Sequence, residues 1–548
     1  MNLVLFWNTV KYLKPVQIYG RLWHHLYKPR MPSLTAALLR NPSYTFTSPI
    51  NKRKSLITPT RFRFLNREHD VISAFDWNDH SIDKLWLYNL HYFDWLCDGH
   101  DEEVDTIYRG VMERWIDENP PFNGNGWEPY PLSLRIVNWI KWCLAGNELS
   151  GKLADSLYLQ CWYLQRRLEF HLLGNHLFAN AKALIFAGLF FDSPEAAKWL
   201  HKGMSVLQQE INEQILDDGG HFERSPMYHA IILEDLLDLI NVAQVYPHVI
   251  RKDYLDSWNQ KSKKMLSALN KLIHPDGEIA FFNDTAIGIA ARPDEIREYA
   301  DRLGIVEDQE SAGRLGCLSE SGYYSFRRNN WFLIIDAAPV GPDYLPGHAH
   351  ADTLSFELSR GSQRVLVNGG TSCYGVGDAR LQQRQTAAHN ALSVDDHDSS
   401  EVWSGFRVAR RAKIVNREIK VSREKDVICA AHNGFERLKS VGLHKRTWEF
   451  SDRGLLISDS IGGSGTHCVR VFFHFHPSLH IRPGVDGWHI YDASEKVIAK
   501  MELDKTVDGF LQDSTYHPKF GTSLPNRVLL GKVVGELPAT ISTKLIFA

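Results

Sequence analysis

Residues 153–191, LADSLYLQCWYLQRRLEFHLLGNHLFANAKALIFAGLFF, decide the fold of the first half of this chain of 548 residues. Apolar residues recur there at helical spacing in two blocks, 153–172 and 176–191, which are joined by a short link. Short links favour antiparallel helical hairpins. Five further blocks of this kind are found at 103–118, 132–144, 196–216, 228–245 and 255–273. Such a series must close into a bundle, toroid or solenoid to bury its apolar stripes.

The second half of the chain is predicted to be a β-sandwich. After about residue 315, short runs rich in β-branched and aromatic residues alternate with Gly, Asp, Asn and Pro. The clearest runs are 323–326, 331–335, 364–367, 455–457, 469–474 and 527–530. We therefore predict an irregular, partly helical segment at 1–100 packed on a helical domain at 101–310, followed by a β domain at 315–548.

The overall composition is that of an ordinary soluble globular protein. Hydrophobic residues make up 44% of the chain and charged residues 23%. The charges of the 62 basic and 65 acidic side chains nearly cancel. The chain therefore lacks the basic excess that is typical of a dedicated nucleic-acid-binding protein. Residues 1–67 differ, because they contain twelve Lys or Arg and no Asp or Glu. This segment is either a solvated basic face or a surface that rests on anionic lipid or a polyanion.

The sequence shows no recognisable secretory signal, transmembrane stretch or cysteine motif. The opening residues, MNLVLFWNTVKYLKP, contain an apolar run of only five residues with positive charge after it, which does not resemble a secretory signal. No uncharged apolar stretch is long enough to predict a transmembrane helix. The seven cysteines form no CxxC pair, so neither a disulfide framework nor a Cys-rich zinc site is indicated. These features favour a cytoplasmic location.

Two polar clusters interrupt the apolar helical blocks. The first is LLGNHLFAN at 172–180, in which Asn175 and His176 are either a helix cap with a satisfied histidine or functional groups. The second is DDGGHFERSPMYH at 217–229, where Ser225 before proline is typical of a helix start. Capping does not explain the other polar side chains of this second cluster, Glu223, Arg224, Tyr228 and His229.

A third polar cluster lies in the β region. It contains PGHAHAD at 346–352, followed by Asn368, Arg380, Arg384 and the triplet AHN at 388–390. If 346–352 is a strand, His348 and His350 face the same way. Together with His389 they could then hold a cation through imidazole nitrogens. The alternative is a pair of surface histidines on a strand.

Taken together, these clusters resemble the heparinase II/III family of polysaccharide lyases. The motifs are WEPYPLSLRIVNW at 127–139, GNHLFAN at 174–180, DGGHFERSPMYH at 218–229, HAHADTLSFEL at 348–358 and AHN at 388–390. The resemblance implies an incomplete (α/α) toroid followed by an antiparallel β-sandwich, with the active site in the cleft between them. It also implies an acidic polysaccharide as the substrate, cleaved by β-elimination at a uronic acid.

The resemblance assigns roles to four residues. Asn175 would donate a hydrogen bond to the uronate carboxylate, and His176 would act as a base or neutralise charge. Tyr228 would protonate the leaving oxygen, and His348 would be a second base or bind the carboxylate. Five further residues are predicted to guide the substrate: Arg135, Glu223, Arg224, Arg380 and Arg384.

Some members of this family hold a zinc ion on the sandwich, and the matching positions here would be His350, Asn368 and His389. Asn368 stands where those members have an aspartate, and a neutral amide is the poorer zinc ligand. No cofactor is needed for β-elimination, so a zinc or other divalent cation would be structural.

Three other functions are compatible with the same residues. A uronyl C5-epimerase uses the same base and acid but returns the proton, and a non-catalytic glycan-binding or assembly protein could retain the scaffold. A glycoside hydrolase would need two carboxylates, for which Asp218 and Glu223 are candidates. Because the family is often periplasmic or secreted, a periplasmic or membrane-surface location is the alternative to the cytoplasm. No motif indicates an oligomeric state.

Overall fold

The computed structural model describes residues 3–32, 38–99, 102–149, 151–306 and 313–548. The first part of the chain is mainly helical. Its α-helices are α1 Leu3–Val10, α2 Pro15–Leu26, α3 Lys84–Tyr92, α4 Glu102–Glu118, α5 Pro129–Leu144, α6 Lys152–Arg166, α7 Gly174–Phe190, α8 Pro194–Gln214, α9 Pro226–Val245, α10 Lys252–Lys271 and α11 Pro293–Arg302, and a later helix, α12, spans Asp378–Arg384. Short 3-10 helices lie at Asp76–Asn78, Asp94–Cys97, Asn125–Trp127 and Thr386–Ala388.

Helix α7 is the centre of the helical domain. Every one of its residues except His176 is buried. A helix that is apolar on all sides must be surrounded by other elements, and α7 packs against α5, α6, α8 and α9. Its amino-terminal end is therefore held rigidly from several sides.

The strands follow in chain order: β1 Leu38–Leu39, β2 Leu56–Thr58, β3 Arg61–Phe64, β4 Arg67–Asp70, β5 Phe191–Asp192, β6 Leu315–Leu318, β7 Tyr323–Arg328, β8 Trp331–Asp336, β9 Phe356–Arg360, β10 Gln363–Leu366, β11 Leu392–Val394, β12 Val402–Trp403, β13 Arg407–Val408, β14 Ile414–Val421, β15 Lys425–His432, β16 Val441–Ser451, β17 Gly454–Gly463, β18 Thr466–His474, β19 His480–Gly484, β20 Gly487–Tyr491, β21 Val497–Leu503, β22 Asp508–Tyr516, β23 Leu524–Glu536 and β24 Ala539–Phe547.

Three antiparallel sheets build the second domain. Their strand orders are β10-β9-β8-β7-β6, β11-β18-β23-β22 and β14-β15-β16-β17-β24-β21-β20-β19. Phe356 of the first sheet lies 6.4 Å, between ring centroids, from Phe473 of the second and from Trp448 of the third. The sheets thus share one apolar core. The predicted fold class, an incomplete (α/α) toroid followed by an antiparallel β-sandwich, is confirmed.

The amino-terminal segment contains a sheet that the sequence analysis did not predict. Strands β2, β3 and β4 form a small antiparallel sheet. Phe62 and Phe64 are buried while Arg61 and Arg63 are exposed, as expected for a strand with one covered face. Leu65 and the following Asn66 have positive φ angles, which fit the tight turn between β3 and β4.

Two predicted segments differ in the structure. The helix predicted at 153–172 ends at Arg166, and the following loop turns back so that the backbone N–H of Glu169 donates to Asn180 Oδ1. The predicted strand at 346–352 is a loop. The change from helices to strands occurs between α11 and β6, and residues 307–312 of the predicted boundary lie outside the described residues.

Candidate active site

A cavity of about 820 Å³ lies where the helical domain meets the β-sandwich. The ends of α7 and α9 form one part of its wall, and the loop before β9 forms another. Residues 50–55 of the amino-terminal segment also line it. Groups from three separated parts of the chain therefore face one space.

Asn175 enters the site at the first turn of α7. Its Nδ2 lies 3.3 Å from Glu223 Oε2 and 3.4 Å from His348 Nε2. Gly174 makes this approach possible, because its φ is +57° and a Cβ atom there would lie 2.7 Å from Glu223 Oε1 and collide with Leu345. Burial raises the pKa of Glu223, although the nearby His348 opposes this shift.

His176 is the partly exposed residue of α7, with 31% of its side chain accessible. Its Nδ1 lies 3.2 Å from Glu169 Oε1, and its ring packs 4.4 Å from that of Tyr130. Burial disfavours the imidazolium, but the Glu169 carboxylate outweighs burial and raises the pKa of His176. The net shift favours the imidazolium form of this side chain.

Tyr228 lies at the start of α9, where Ser225 caps the helix by accepting from the Tyr228 backbone N–H. Its ring lies 4.0 Å from the His348 ring, and its hydroxyl is 3.1 Å from that of Tyr374. Burial and the neighbouring Tyr374 raise the pKa of Tyr228 well above its ordinary value. The phenol is therefore protonated at neutral pH.

Asp284 organises the loop that carries His348 and His350. Its Oδ2 lies 2.9 Å from His348 Nδ1, and its Oδ1 lies 2.9 Å from His350 Nε2. Burial alone would favour the acid form, but the bidentate Arg380 guanidinium and both histidines hold the pKa of Asp284 well below its usual range. The carboxylate thus accepts from His348 Nδ1–H and leaves Nε2 as the unprotonated nitrogen, which faces Asn175 Nδ2 at 3.4 Å in a side chain that lines the cavity.

His350 and His389 form a second imidazole pair behind the site. His389 Nδ1 donates to the Gln385 carbonyl oxygen at 2.8 Å, and His350 Nε2 donates to Asp284. The remaining nitrogens, His350 Nδ1 and His389 Nε2, then face each other at 3.0 Å. Two lone pairs at this distance need a proton or a cation between them, so these two residues fit part of a cation site.

Asn368 does not fit the predicted metal site. Its Nδ2 donates to the Phe281 carbonyl oxygen at 2.9 Å, and its Oδ1 accepts from the Asn390 backbone N–H at 3.0 Å. Within the parts of the chain that the structure describes, no group of three or more His, Cys, Asp or Glu side chains is placed to hold a metal ion. Both polar atoms of the Asn368 side chain are thus engaged within the protein, whereas His350 and His389 keep two nitrogens that face each other.

Four predicted substrate-binding arginines are structural instead. Arg135 is fully buried and donates to Gln160, to the His91 carbonyl oxygen and to the Gly126 carbonyl oxygen. The guanidinium groups of the other three also donate hydrogen bonds within the protein. Arg224 donates to the carbonyl oxygens of Phe222 and Ser321, and Arg380 donates to the Asp284 carboxylate and the Gly405 carbonyl oxygen. Arg384 donates to the carbonyl oxygens of Ala349, Ser404 and Arg407. The sequence marks these residues as charged but does not reveal their burial.

The cavity is instead lined by basic side chains from the amino-terminal segment. Lys52, Arg53 and Lys54 all line it. Lys52 is paired with Glu234, whereas Arg53 and Lys54 are exposed. Asp284 and Tyr374 are two further site residues that the sequence did not lead us to predict. A local signal existed for Asp284, which is a charged residue directly after apolar residues in FFND at 281–284, and for the basic residues, which form the run NKRK at 51–54.

Comparisons with known proteins agree with this architecture. A family model described as heparinase II/III N-terminus matches residues 145–303, and one described as heparinase II/III-like, C-terminal matches residues 313–543. The crystal structure of heparinase III superposes with a TM-score of 0.73 at 16% identity, covering 97% of this chain and 89% of that chain.

The curated relatives match at modest identity, and two of them illustrate this. A heparin-sulfate lyase of Bacteroides stercoris is 26% identical over 255 residues, which are 42% of this chain and 37% of that protein. The FtsZ-localized protein C of Caulobacter vibrioides is 24% identical over 333 residues, which are 60% of this chain and 55% of the relative. The match therefore spans less than two thirds of either relative's length.

Proposed function

We propose, because this chain belongs to the heparinase II/III family, that it cleaves a uronic-acid-containing polysaccharide by β-elimination. The observation that carries the proposal is the convergence of Asn175, Tyr228 and His348 on one cavity wall. An amide, a phenol and an imidazole can supply the carboxylate-stabilising donor, the acid and the base that this reaction requires.

The reaction begins with a weakly acidic proton on C5 of the uronic acid. Removing it places negative charge on the neighbouring carboxylate, so hydrogen-bond donors must stabilise that group. Asn175 Nδ2 supplies one donor, and Glu223 beside it could supply a second in its carboxylic acid form, which burial favours. His176 lines the same wall, and in its imidazolium form it adds positive charge there.

His348 is the base in this proposal. Because Asp284 accepts from its Nδ1–H, the Nε2 lone pair is available to take the C5 proton. The C5–H electron pair becomes the C4=C5 double bond, and the bond from C4 to the glycosidic oxygen breaks. Tyr228, kept protonated by burial, then donates its proton to that oxygen. Atoms and charges balance without a redox partner.

Two exposed basic side chains at the cavity suit an acidic glycan. Arg53 and Lys54 lie exposed at the cavity and can attract carboxylate or sulfate groups outside the reacting sugar. The proposed substrate class is therefore a uronate-containing anionic polysaccharide.

The test is a screen of the purified protein against heparan sulfate, hyaluronan, alginate and bacterial capsule or O-antigen glycans. We expect at least one to yield new ultraviolet absorbance from the C4=C5 double bond, and the Tyr228→Phe protein to yield none. Deuterium uptake from solvent at C5 without absorbance would replace the lyase with an epimerase. New reducing ends without absorbance would indicate hydrolysis, and binding without any reaction would make the protein a glycan-binding module.

A further inference from the structure

Helices α1 and α2 have their polarity reversed relative to helices that pack on a protein core. Their buried residues are polar, Thr9 in α1 and Gln17 in α2. Their outward side chains are large and apolar. More than half of the surface is exposed in Leu3, Trp7, Ile18, Tyr19, Leu22, Trp23, Leu26 and the following Met31. A surface helix of a globular protein has the opposite arrangement.

The exposed residues of α2 form one stripe. Ile18, Tyr19, Leu22, Trp23 and Leu26 follow the spacing i, i+1, i+4, i+5 and i+8, which places them along one side of a helix. A continuous apolar surface of this kind, rather than scattered single residues, marks a surface that something covers.

The inner sides of both helices are fixed to the rest of the protein. Trp403 Nε1 donates to Thr9 Oγ1 at 3.0 Å, and Gln17 Nε2 donates to the Tyr344 carbonyl oxygen at 3.1 Å. Arg167 holds the end of α2 by donating to backbone carbonyl oxygens there. These polar contacts orient the two helices, so the apolar stripe stays directed outward.

The charged side chains that the two helices and their flanking residues contribute are all basic, and one of them, Lys14, is paired with Glu213 of α8. Lys11, Arg21, Lys28 and Arg30 are all exposed, and residues 1–67 contain no Asp or Glu. A second copy of the chain would bring these like charges together, which is unfavourable. A bilayer with anionic lipids has the complementary charge, and Trp and Tyr are the residues preferred at its interface.

We propose that α1 and α2 lie in the surface of an anionic lipid bilayer. The apolar stripe enters the boundary between headgroups and acyl chains, and the basic side chains contact the headgroups. Among the described residues, no helix is long and apolar enough to cross a membrane, and the attachment proposed here is to the surface. The inference does not depend on the proposed glycan chemistry.

This attachment has a consequence for the cavity. The Thr9–Trp403 hydrogen bond joins α1 to the hairpin formed by β12 and β13. Phe406, in the turn of that hairpin, lines the cavity. Binding through α1 and α2 therefore holds this wall of the cavity close to the bilayer, where a lipid-linked or surface-attached polymer would lie.

The test is flotation of the full chain with vesicles of phosphatidylcholine alone or of phosphatidylcholine with phosphatidylglycerol. We expect binding to the anionic vesicles that weakens as salt is raised. The variant Leu22→Glu/Trp23→Glu should lower the partition coefficient at least tenfold, and Arg21→Glu/Lys28→Glu should also lower it at least tenfold. The matched control is Val485→Glu/Lys505→Glu, which changes an exposed valine and lysine elsewhere and should bind like the wild type.

Three results would overturn the proposal. One is equal flotation of the Leu22→Glu/Trp23→Glu variant and the wild type. Another is a wild-type dimer in light scattering that this variant converts to monomer while neither floats, since a second copy then covers the stripe. The third is dependence on Arg21 and Lys28 alone, which would indicate a soluble polyanion as the ligand. Circular dichroism melting of each variant checks that it is folded.

Discussion

Replacing Tyr228 by phenylalanine removes one oxygen and leaves the ring in place. In the folded protein that oxygen lies 3.1 Å from the hydroxyl of Tyr374; Tyr228 is buried and Tyr374 is partly buried. The loss of one neutral hydrogen bond costs about 1 kcal/mol of folding stability. The loss of a general acid lowers the rate by about 10² or more. The variant should therefore fold normally but be almost inactive.

Tyr374→Phe is the matched control, because it removes the same hydrogen bond from the other side. Its melting temperature should fall by the same small amount as that of Tyr228→Phe. If Tyr374 acts only by orienting the Tyr228 phenol, kcat/KM should fall by no more than about tenfold, the equivalent of about 1.4 kcal/mol.

The assay is the initial rate of double-bond absorbance on an accepted glycan, with melting curves for both variants. A Tyr228→Phe enzyme with more than about a tenth of the wild-type kcat/KM would remove Tyr228 as the acid. If Tyr374→Phe were the variant that lost activity while Tyr228→Phe kept it, the proton donor would be Tyr374.

Four further predictions concern neighbouring residues. Asp284→Asn should lower kcat by about 10² or more, because His348 loses the carboxylate acceptor that fixes its tautomer. A kcat near the wild-type value at every pH measured would contradict this. Arg135→Gln should lower the melting temperature with KM unchanged, because the side chain is a buried donor to backbone carbonyls; a raised KM in a stable protein would restore its role in binding. Because folding raises the pKa of His176, protonation of this side chain stabilises the folded protein, and this contribution is complete below about pH 6.5. It is lost as the pH rises through the pKa of His176 in the folded protein. The melting temperatures of wild type and His176→Gln should therefore converge toward alkaline pH. Asn368→Asp should destabilise the protein by about 1–3 kcal/mol without increasing bound zinc in elemental analysis, because it removes the donor to the Phe281 carbonyl; tighter zinc binding would reinstate Asn368 as a ligand position.

The helical half of the fold could be predicted from the sequence because helical periodicity is a local property. The block predicted at 228–245 is the helix Pro226–Val245, and that at 132–144 is Pro129–Leu144. The small sheet of β2, β3 and β4 was missed because its strands have only three or four residues. Strands this short give a weak alternating pattern.

The candidate site could be predicted only in part. Asn175, Tyr228 and His348 stand in recognisable motifs, and the structure places them at one cavity. Asp284 and Tyr374 act through partners 64 and 146 residues away, which no local pattern reveals. Arg135 was assigned wrongly to the substrate because charge in a sequence does not distinguish a buried donor to carbonyl oxygens from an exposed one.

The position of Asp284 makes the two halves of the chain dependent on each other. The carboxylate precedes the last helix of the helical domain, whereas both histidines and the arginine that it holds come from the second half. Separated halves would leave this aspartate without counter-charge and His348 without a fixed tautomer. A chain cut in the segment between α11 and β6 should therefore show the proposed activity only when its two fragments reassociate. A change that loosens their interface should abolish that activity before it unfolds either part.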